Sequence, residues 1–111
     1  DLSFISLTLV AANLAELGAQ APQIWLIKPQ FEVGKHSLSA SGVVSSWSER
    51  ERSIHQVLDA AKQVGLGVRG LIESPIKGTN GNREYLALLK PGQTHDYELL
   101  ETIPALCKQG E

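Results

Sequence analysis

The stretch Ile24-Trp25-Leu26-Ile27-Lys28-Pro29 joins four apolar residues to a lysine and a proline. A short, continuous apolar run is typical of a strand that is covered on both faces, as in a parallel sheet. Pro29 ends the run and holds Lys28 in an extended conformation. The stretch therefore predicts a buried strand that carries a cation at its carboxyl end.

A helix and a loop flank this strand. The segment 4–18 is predicted to be a helix that Gly18 ends, because its apolar residues recur at helical spacing. Residues 30–47 are rich in Ser and Gly and predict a long loop, and loops of that length tend to be functional or mobile.

A second helix follows the loop. Ser48 and Glu51 have the spacing of a capping box, which predicts where the helix begins, and Gly65 is predicted to end it. Its apolar stripe consists of Ile54, Val57, Leu58, Ala61 and Val64.

Two strands and a final helix complete the pattern. Strands are predicted from Val68 to Glu73 and from Tyr85 to Leu89, on either side of a turn-rich loop. Asp96 is predicted to cap the last helix, and Pro104 to kink or end it. Helices that alternate with strands in this way imply an α/β sheet layered by helices, with a hairpin-like addition at the end.

Composition limits the class of protein. The chain has 111 residues, enough for one compact domain, and its formal net charge of -2 does not by itself indicate nucleic-acid binding. It has one cysteine, no signal-peptide pattern within these residues and no apolar run near the roughly 18 residues of a membrane span, so we expect a reducing, cytoplasmic compartment and no membrane. The absence of Met favours a piece of a longer protein.

Several single residues have plain structural interpretations. The three histidines, His36, His55 and His95, show no metal-ligand spacing and are predicted to be solvated; no metal site is expected. Trp25 and Cys107 are predicted to fill the core.

Ionisable residues follow or precede the predicted strands. Ligands of open α/β sheets bind beyond the carboxyl ends of the strands, so Lys28, Glu73, Glu84 and Asp1 are the groups expected to converge. A lysine among carboxylates suits the handling of a hydroxyl proton. The simpler alternative is a Lys28 side chain that reaches into solvent from the strand end.

A series of motifs gives this site a family context. In order and spacing, the series resembles the carboxy-terminal half of the TlyA, or hemolysin-A-like, family within the FtsJ-like ribosomal RNA 2′-O-methyltransferases. The resemblance runs from Asp1 to about Lys90. The motifs that carry it are Asp1-Leu2-Ser3-Phe4-Ile5-Ser6-Leu7, Leu26-Ile27-Lys28-Pro29-Gln30-Phe31-Glu32, Gly42-Val43-Val44, Gly70-Leu71-Ile72-Glu73-Ser74-Pro75-Ile76-Lys77-Gly78 and Gly81-Asn82-Arg83-Glu84-Tyr85-Leu86.

The resemblance implies a fold and a chemistry. The fold would be α/β, the carboxy-terminal part of a Rossmann-like methyltransferase sheet with flanking helices and a final antiparallel strand. The methyl donor would be S-adenosylmethionine, and the substrate ribosomal RNA, free or within a ribosomal subunit. Of a Lys-Asp-Lys-Glu catalytic tetrad, Asp1, Lys28 and Glu84 match, and the first lysine would lie upstream. Asp1 and Phe4 would contact the donor.

The resemblance also implies a domain organisation. Residues 1–111 would form the carboxy-terminal portion of one methyltransferase domain. The donor-binding half with its glycine-rich loop, and the S4-like RNA-binding domain of similar proteins, are not among these residues, so the chain alone is expected to be inactive.

Two departures leave a second function open. Ser45-Ser46-Trp47 stands where similar proteins have Arg-Asp-Pro, and Thr79-Asn80 replaces a usual Pro-Xaa pair. Trp47 is expected either to stack on a base or to pack over the sheet. The alternative to an enzyme is a non-catalytic, methyltransferase-like module that binds RNA or protein. Nothing in the sequence indicates the amphipathic membrane helix of a pore-forming hemolysin.

Overall fold

The computed structural model describes Thr8, Ala11, residues 21–34 and residues 38–110. Thr8 and Ala11 are helical, and the rest of the helix predicted over 4–18 lies outside the described residues, as does His36. Among the residues described, no helix is long and apolar enough to cross a lipid bilayer. In chain order the described elements are β1 (Gln23–Ile27), α1 (Pro29–Glu32), α2 (Trp47–Gln63), β2 (Leu66–Glu73), β3 (Tyr85–Pro91) and α3 (Tyr97–Lys108).

The sheet has the strand order β1-β3-β2. The last strand, β3, lies between the other two and pairs with both in antiparallel orientation. Strands β1 and β2 therefore run parallel to each other without touching. This arrangement confirms the α/β fold with a final antiparallel strand.

The core lies on one face of the sheet, beneath α2 and α3. Trp25 and Ile27 of β1 are buried there, beside Tyr85, Ala87 and Leu89 of β3. The apolar stripe predicted for α2 packs against them, with only Val64 half-buried. Trp25 and Cys107 are core residues, as predicted.

The opposite face of the sheet is apolar but exposed. Ile24 and Leu26 of β1 are 70% and 38% exposed, and Ile72 of β2 is 57% exposed. The prediction that β1 is covered on both faces is therefore wrong. Its burial alternates with the two-residue period of a strand that has one packed face.

The observed helix boundaries match those predicted from the sequence at some helix ends only. Helix α2 begins at Trp47 after the N-cap Ser46, which makes no side-chain capping bond. The hydroxyl of Ser48 contacts that of Ser46 at 2.7 Å, so the predicted capping box is wrong. Gly65, at φ +83°, follows the helix as predicted. Helix α1 is a single turn that begins at Pro29 and extends into the segment 30–47 that was predicted as loop.

Helix α3 begins as predicted and ends later than predicted. The carboxylate of Asp96 caps it by accepting a bond from the Leu99 N–H at 3.2 Å. Pro104 lies inside the helix, which continues to Lys108. Arg50 and Arg83 donate to the carbonyl oxygen of Cys107 and so stabilise the last turn of the helix, beyond Pro104.

His95 is buried rather than solvated, contrary to prediction. Its Nδ1 accepts a hydrogen bond from the Val68 N–H at 2.8 Å, which requires the proton to sit on Nε2. Nε2 then donates to the Leu58 carbonyl oxygen, also at 2.8 Å. The ring thus bridges β2 and α2 from the segment before α3, an arrangement that apolar periodicity does not report.

We expect His95→Leu to lower the free energy of unfolding by about 1 to 3 kcal/mol, because it leaves the buried Val68 N–H without an acceptor. Urea unfolding measures the loss. His55→Leu is the matched control, since His55 is 43% exposed and faces Glu51 across 3.6 Å. Equal losses for the two variants would contradict a bridging role.

Candidate functional site

Lys28 and Glu84 meet at one edge of the sheet because of the pairing between β1 and β3. Ile27 pairs with Tyr85 at the end of that ladder. Lys28 follows Ile27 and Glu84 precedes Tyr85, so the two residues occupy the next positions outward on neighbouring strands. The structure therefore places both predicted residues at the same edge.

The side chain of Lys28 reaches no carboxylate in the part of the chain that the structure describes. Its backbone is extended, at φ −111° and ψ 99°, as expected before proline. Its ammonium nitrogen lies over the ring of Phe31, 5.1 Å from the centroid. No carboxylate of the described residues comes within 4.0 Å of it, so Lys28 and Glu84 form no direct ion pair.

Glu84 is held by a neutral partner. The carboxylate is buried, with 5% of the residue exposed. The Gln30 side-chain amide donates to its Oε2 at 2.7 Å. On the other side Gly78 packs so closely that a Cβ there would overlap the carboxylate. Gln30 lies on α1, directly after Lys28 and Pro29.

Asn82 joins the two loops that border the site. Its side-chain oxygen accepts from the Val44 N–H at 2.9 Å. Its amide nitrogen donates to the carbonyl oxygens of Gly42 and Thr79, both at 3.0 Å. With 2% of the residue exposed, Asn82 has its side-chain oxygen and nitrogen satisfied by backbone groups. Hydrogen bonds from Asn82 thus fix the Gly42–Val44 part of the loop that was predicted over 30–47.

Glu73 is paired elsewhere and does not join Lys28. Arg83 donates to both of its oxygens, at 2.7 and 3.1 Å. These bonds hold the pKa of Glu73 below its ordinary value of 4.5. The same guanidinium donates to the carbonyl oxygens of Leu106 and Cys107. Arg83 therefore ties β2 to the carboxyl end of α3.

Arg50 also contacts the carboxyl end of α3. It is almost fully buried, and it donates to the Cys107 carbonyl oxygen at 2.8 Å and to that of Val44 at 3.4 Å. Cations at the carboxyl end of a helix also interact favourably with the helix dipole. The two arginines fix α3 against the site loops.

Tyr85 and Cys107 are neutral core groups. Burial raises the pKa of the Tyr85 hydroxyl well above its ordinary value, and the neighbouring Cys107 raises it further. Burial likewise raises the pKa of the Cys107 thiol. Neither group supplies a nucleophile or a base at neutral pH.

Trp47 packs against the core, which was one of its two expected roles. The ammonium of Lys108 lies over its ring, 4.2 Å from the centroid. This cation–π contact links the first turn of α2 to the last turn of α3. It covers one ring face that a base would otherwise approach.

Sequence reasoning identified only part of this site. Asp1 and Phe4 lie outside the described residues. Gln30, Gly78 and Asn82 were not singled out, although all three lie within or beside the motifs quoted above. Their partners are distant in sequence, and the only local signal was their position beside Lys28 and Glu84.

These features define an α/β protein with a polar site at one edge of a three-stranded antiparallel sheet. A model of the FtsJ-like methyltransferase family matches residues 1–90. The chain therefore belongs to the FtsJ-like methyltransferase family, and the resemblance noted in its motifs is confirmed.

Individual relatives agree with this assignment. The 16S/23S rRNA (cytidine-2'-O)-methyltransferase TlyA of Mycobacterium tuberculosis is 41% identical over 91 residues, which are 81% of this chain and 34% of TlyA. The candidate rRNA methyltransferase YqxC of Bacillus subtilis is 35% identical over 95 residues, 84% of this chain and 34% of YqxC. A solved structure of a candidate hemolysin from Streptococcus thermophilus has a TM-score of 0.86 at 35% identity, and covers 98% of this chain and 40% of that one. The chain spans about a third of the length of these two curated relatives.

We expect the Glu73–Arg83 pair to make the free energy of unfolding depend on pH in the acidic range. Because the folded-state pKa of Glu73 is lowered, its contribution is present above pH 4.5 and is lost as the pH falls through the lowered value. Glu73→Gln should cost about 1 to 2 kcal/mol at pH 7, and this difference should shrink below pH 4.5. Chemical unfolding of both proteins at pH 7 and below pH 4.5 measures this difference in the free energy of unfolding. Glu101→Gln, an exposed control on α3, should change stability by less than about 0.5 kcal/mol. A Glu73→Gln deficit that is constant with pH would contradict the ionic origin.

Proposed function

We propose that the intact protein carrying this chain transfers a methyl group from S-adenosylmethionine to a ribose 2′-oxygen of ribosomal RNA. The observation that carries the proposal is the placement of Lys28 and Glu84 on neighbouring strand ends of an FtsJ-like sheet. TlyA is named as an rRNA methyltransferase and YqxC as a candidate one, and both names support the substrate class. Ribosomal RNA as substrate also favours the cytoplasm as the place of action.

In this proposal Lys28 acts on the acceptor hydroxyl. A lysine at a strand end can accept or orient the 2′-hydroxyl proton while the oxygen attacks. Its backbone is fixed by the end of the β1–β3 ladder and by Pro29. Glu84, at the neighbouring strand end, would supply the negative charge that orients the ammonium when Lys28 turns toward the acceptor. Asp1 would help to hold Lys28 in place. Proximity of the two substrates supplies much of the rate.

We assign neither of two hollows among the described residues to the donor. A cavity of about 320 Å³ is lined by Lys62, Leu66, Gly92 and Thr94, among others, and it lies at the opposite edge of the sheet from Lys28. A second, apolar hollow lies on the exposed sheet face beside Ile24 and Leu88. We therefore assign only the acceptor-side chemistry to the described part of the chain.

Removal of the Lys28 amine should abolish most methyl transfer by the intact protein and leave RNA affinity nearly unchanged. Positioned acid–base groups contribute roughly 100- to 10,000-fold in rate, whereas one cation among many adds little to phosphate binding. Lys28→Arg should not restore the rate, because a guanidinium stays protonated. Glu84→Gln should cause a smaller loss. Transfer of a labelled methyl group to ribosomal RNA, run beside an RNA-binding assay, measures both effects.

Lys62→Ala is the matched control for this series, since Lys62 is exposed on α2 near the far edge of the sheet. If Lys28→Ala kept near-normal transfer, or lost binding and transfer in equal proportion, Lys28 would be a surface or RNA-contact residue. A wild-type protein that binds RNA without any methyl transfer would favour the non-catalytic module instead.

A protein made of these 111 residues alone should bind S-adenosylmethionine weakly or not at all. The glycine-rich loop that holds the donor in similar proteins is not among them. Calorimetric titration tests this expectation. Micromolar affinity, about -8 kcal/mol of binding free energy, would show that the donor pocket lies within this chain.

A further inference from the structure

The Glu84 carboxylate is fixed from two sides by residues that carry no charge. Gln30 donates to Oε2 at 2.7 Å. A Cβ on Gly78 would overlap that same oxygen. Glu84 is 5% exposed, and a buried carboxylate is costly unless it is hydrogen-bonded. Only one of its two oxygens receives a hydrogen bond from a described residue.

The turn that carries Gln30 also carries Lys28. The Phe31 N–H donates to the Lys28 carbonyl oxygen at 2.9 Å, and the Val33 N–H donates to that of Pro29 at 3.0 Å. Pro29 is buried at the first position of α1 and fixes the direction of the turn. A bond from Gln30 to Glu84 therefore sets the distance between Lys28 and Glu84 without an ion pair between them.

Gly78 shapes the other wall of the carboxylate site. Its N–H donates to the Asn82 carbonyl oxygen at 2.7 Å, which folds the loop back over Glu84. Its backbone angles, φ −79° and ψ −169°, are ones that any residue adopts. A larger residue here would therefore meet a steric obstacle, and the group that it would displace is the Glu84 carboxylate.

We propose that Gln30 and Gly78 are positioning residues for methyl transfer. They hold one oxygen of Glu84 in place so that the other remains available to orient Lys28 or the acceptor ribose. This inference rests on the proposed function. It adds two residues that do not touch the reacting atoms but decide where the charge of Glu84 lies.

The test measures kcat and KM for ribosomal RNA on the intact protein, together with its unfolding. Gln30→Met keeps the length of the side chain and removes the donor. It should lower kcat by about 10- to 100-fold, the effect of a small misplacement of a catalytic group, and leave KM within about twofold. Gln56→Met, on the exposed side of α2, should match the wild type in both constants.

An exchanged pair separates positioning from stability. In the double variant Gln30→Glu with Glu84→Gln, amide and carboxylate can bond again with their roles reversed. Unfolding stability should recover relative to Gln30→Glu alone. The rate should not recover, because the negative charge now lies on α1. Joint recovery of stability and kcat would overturn the inference and leave the pair a structural contact.

Gly78→Ala provides an independent variant. The added Cβ should push the carboxylate from its place and lower kcat as Gln30→Met does. Gly70→Ala is the control, since a Cβ there would meet Leu88 at an ordinary 3.4 Å on the exposed sheet face. Normal kcat in both Gln30→Met and Gly78→Ala, with an active wild type, overturns the inference alone. A wild type that transfers no methyl group overturns the proposed function and the inference with it.

Discussion

Strand β3 hydrogen-bonds to β1 on one side and to β2 on the other, and this double pairing governs the rest of the structure. Side chains of a strand alternate between faces, so a slip of one residue would turn Tyr85 and Leu89 out of the core. Both are fully buried, as is Ile27 opposite Tyr85. Burial of these side chains on one face thus fixes where Glu84 stands relative to Lys28, although neither of those two residues belongs to the core.

The loops at the site edge depend on a different kind of constraint. Their backbone groups have no ladder to join, so polar side chains must satisfy them. Asn82 does this for the loop around Gly42, and Arg50 and Arg83 do it for the carboxyl end of α3. Removing one partner of such a buried network lowers the free energy of unfolding by more than the net contribution of the hydrogen bond, because the other partner is left unsatisfied. Side-chain hydrogen bonds consequently hold the loops of this edge even where they lack regular secondary structure.

Apolar periodicity was sufficient to predict the strands, the stripe of α2 and the overall α/β class, because it reports which side chains are buried. Gly65 and Asp96 were predicted correctly since helix ends carry strong local preferences. The rest depends on partners that sequence spacing does not reveal. Gln30 meets Glu84 across 54 positions, and His95 reaches Leu58 across 37. The exposed face of β1 was also missed, because an apolar run predicts a strand without showing what covers each face.

The two glutamates at the strand ends show why the partner of a carboxylate matters. Glu73 receives two bonds from Arg83, which fix its position and also neutralise its charge. Glu84 receives its bond from an amide, which fixes its position and leaves its charge intact. Among the described residues no cation comes within 4.0 Å of it. A negative charge that is held in place but not yet paired is suited to orient a cation or a hydroxyl group that arrives with a substrate. In the proposed function, this difference, rather than the presence of acidic residues as such, distinguishes Glu84 from Glu73 as the carboxylate that would act on the substrate.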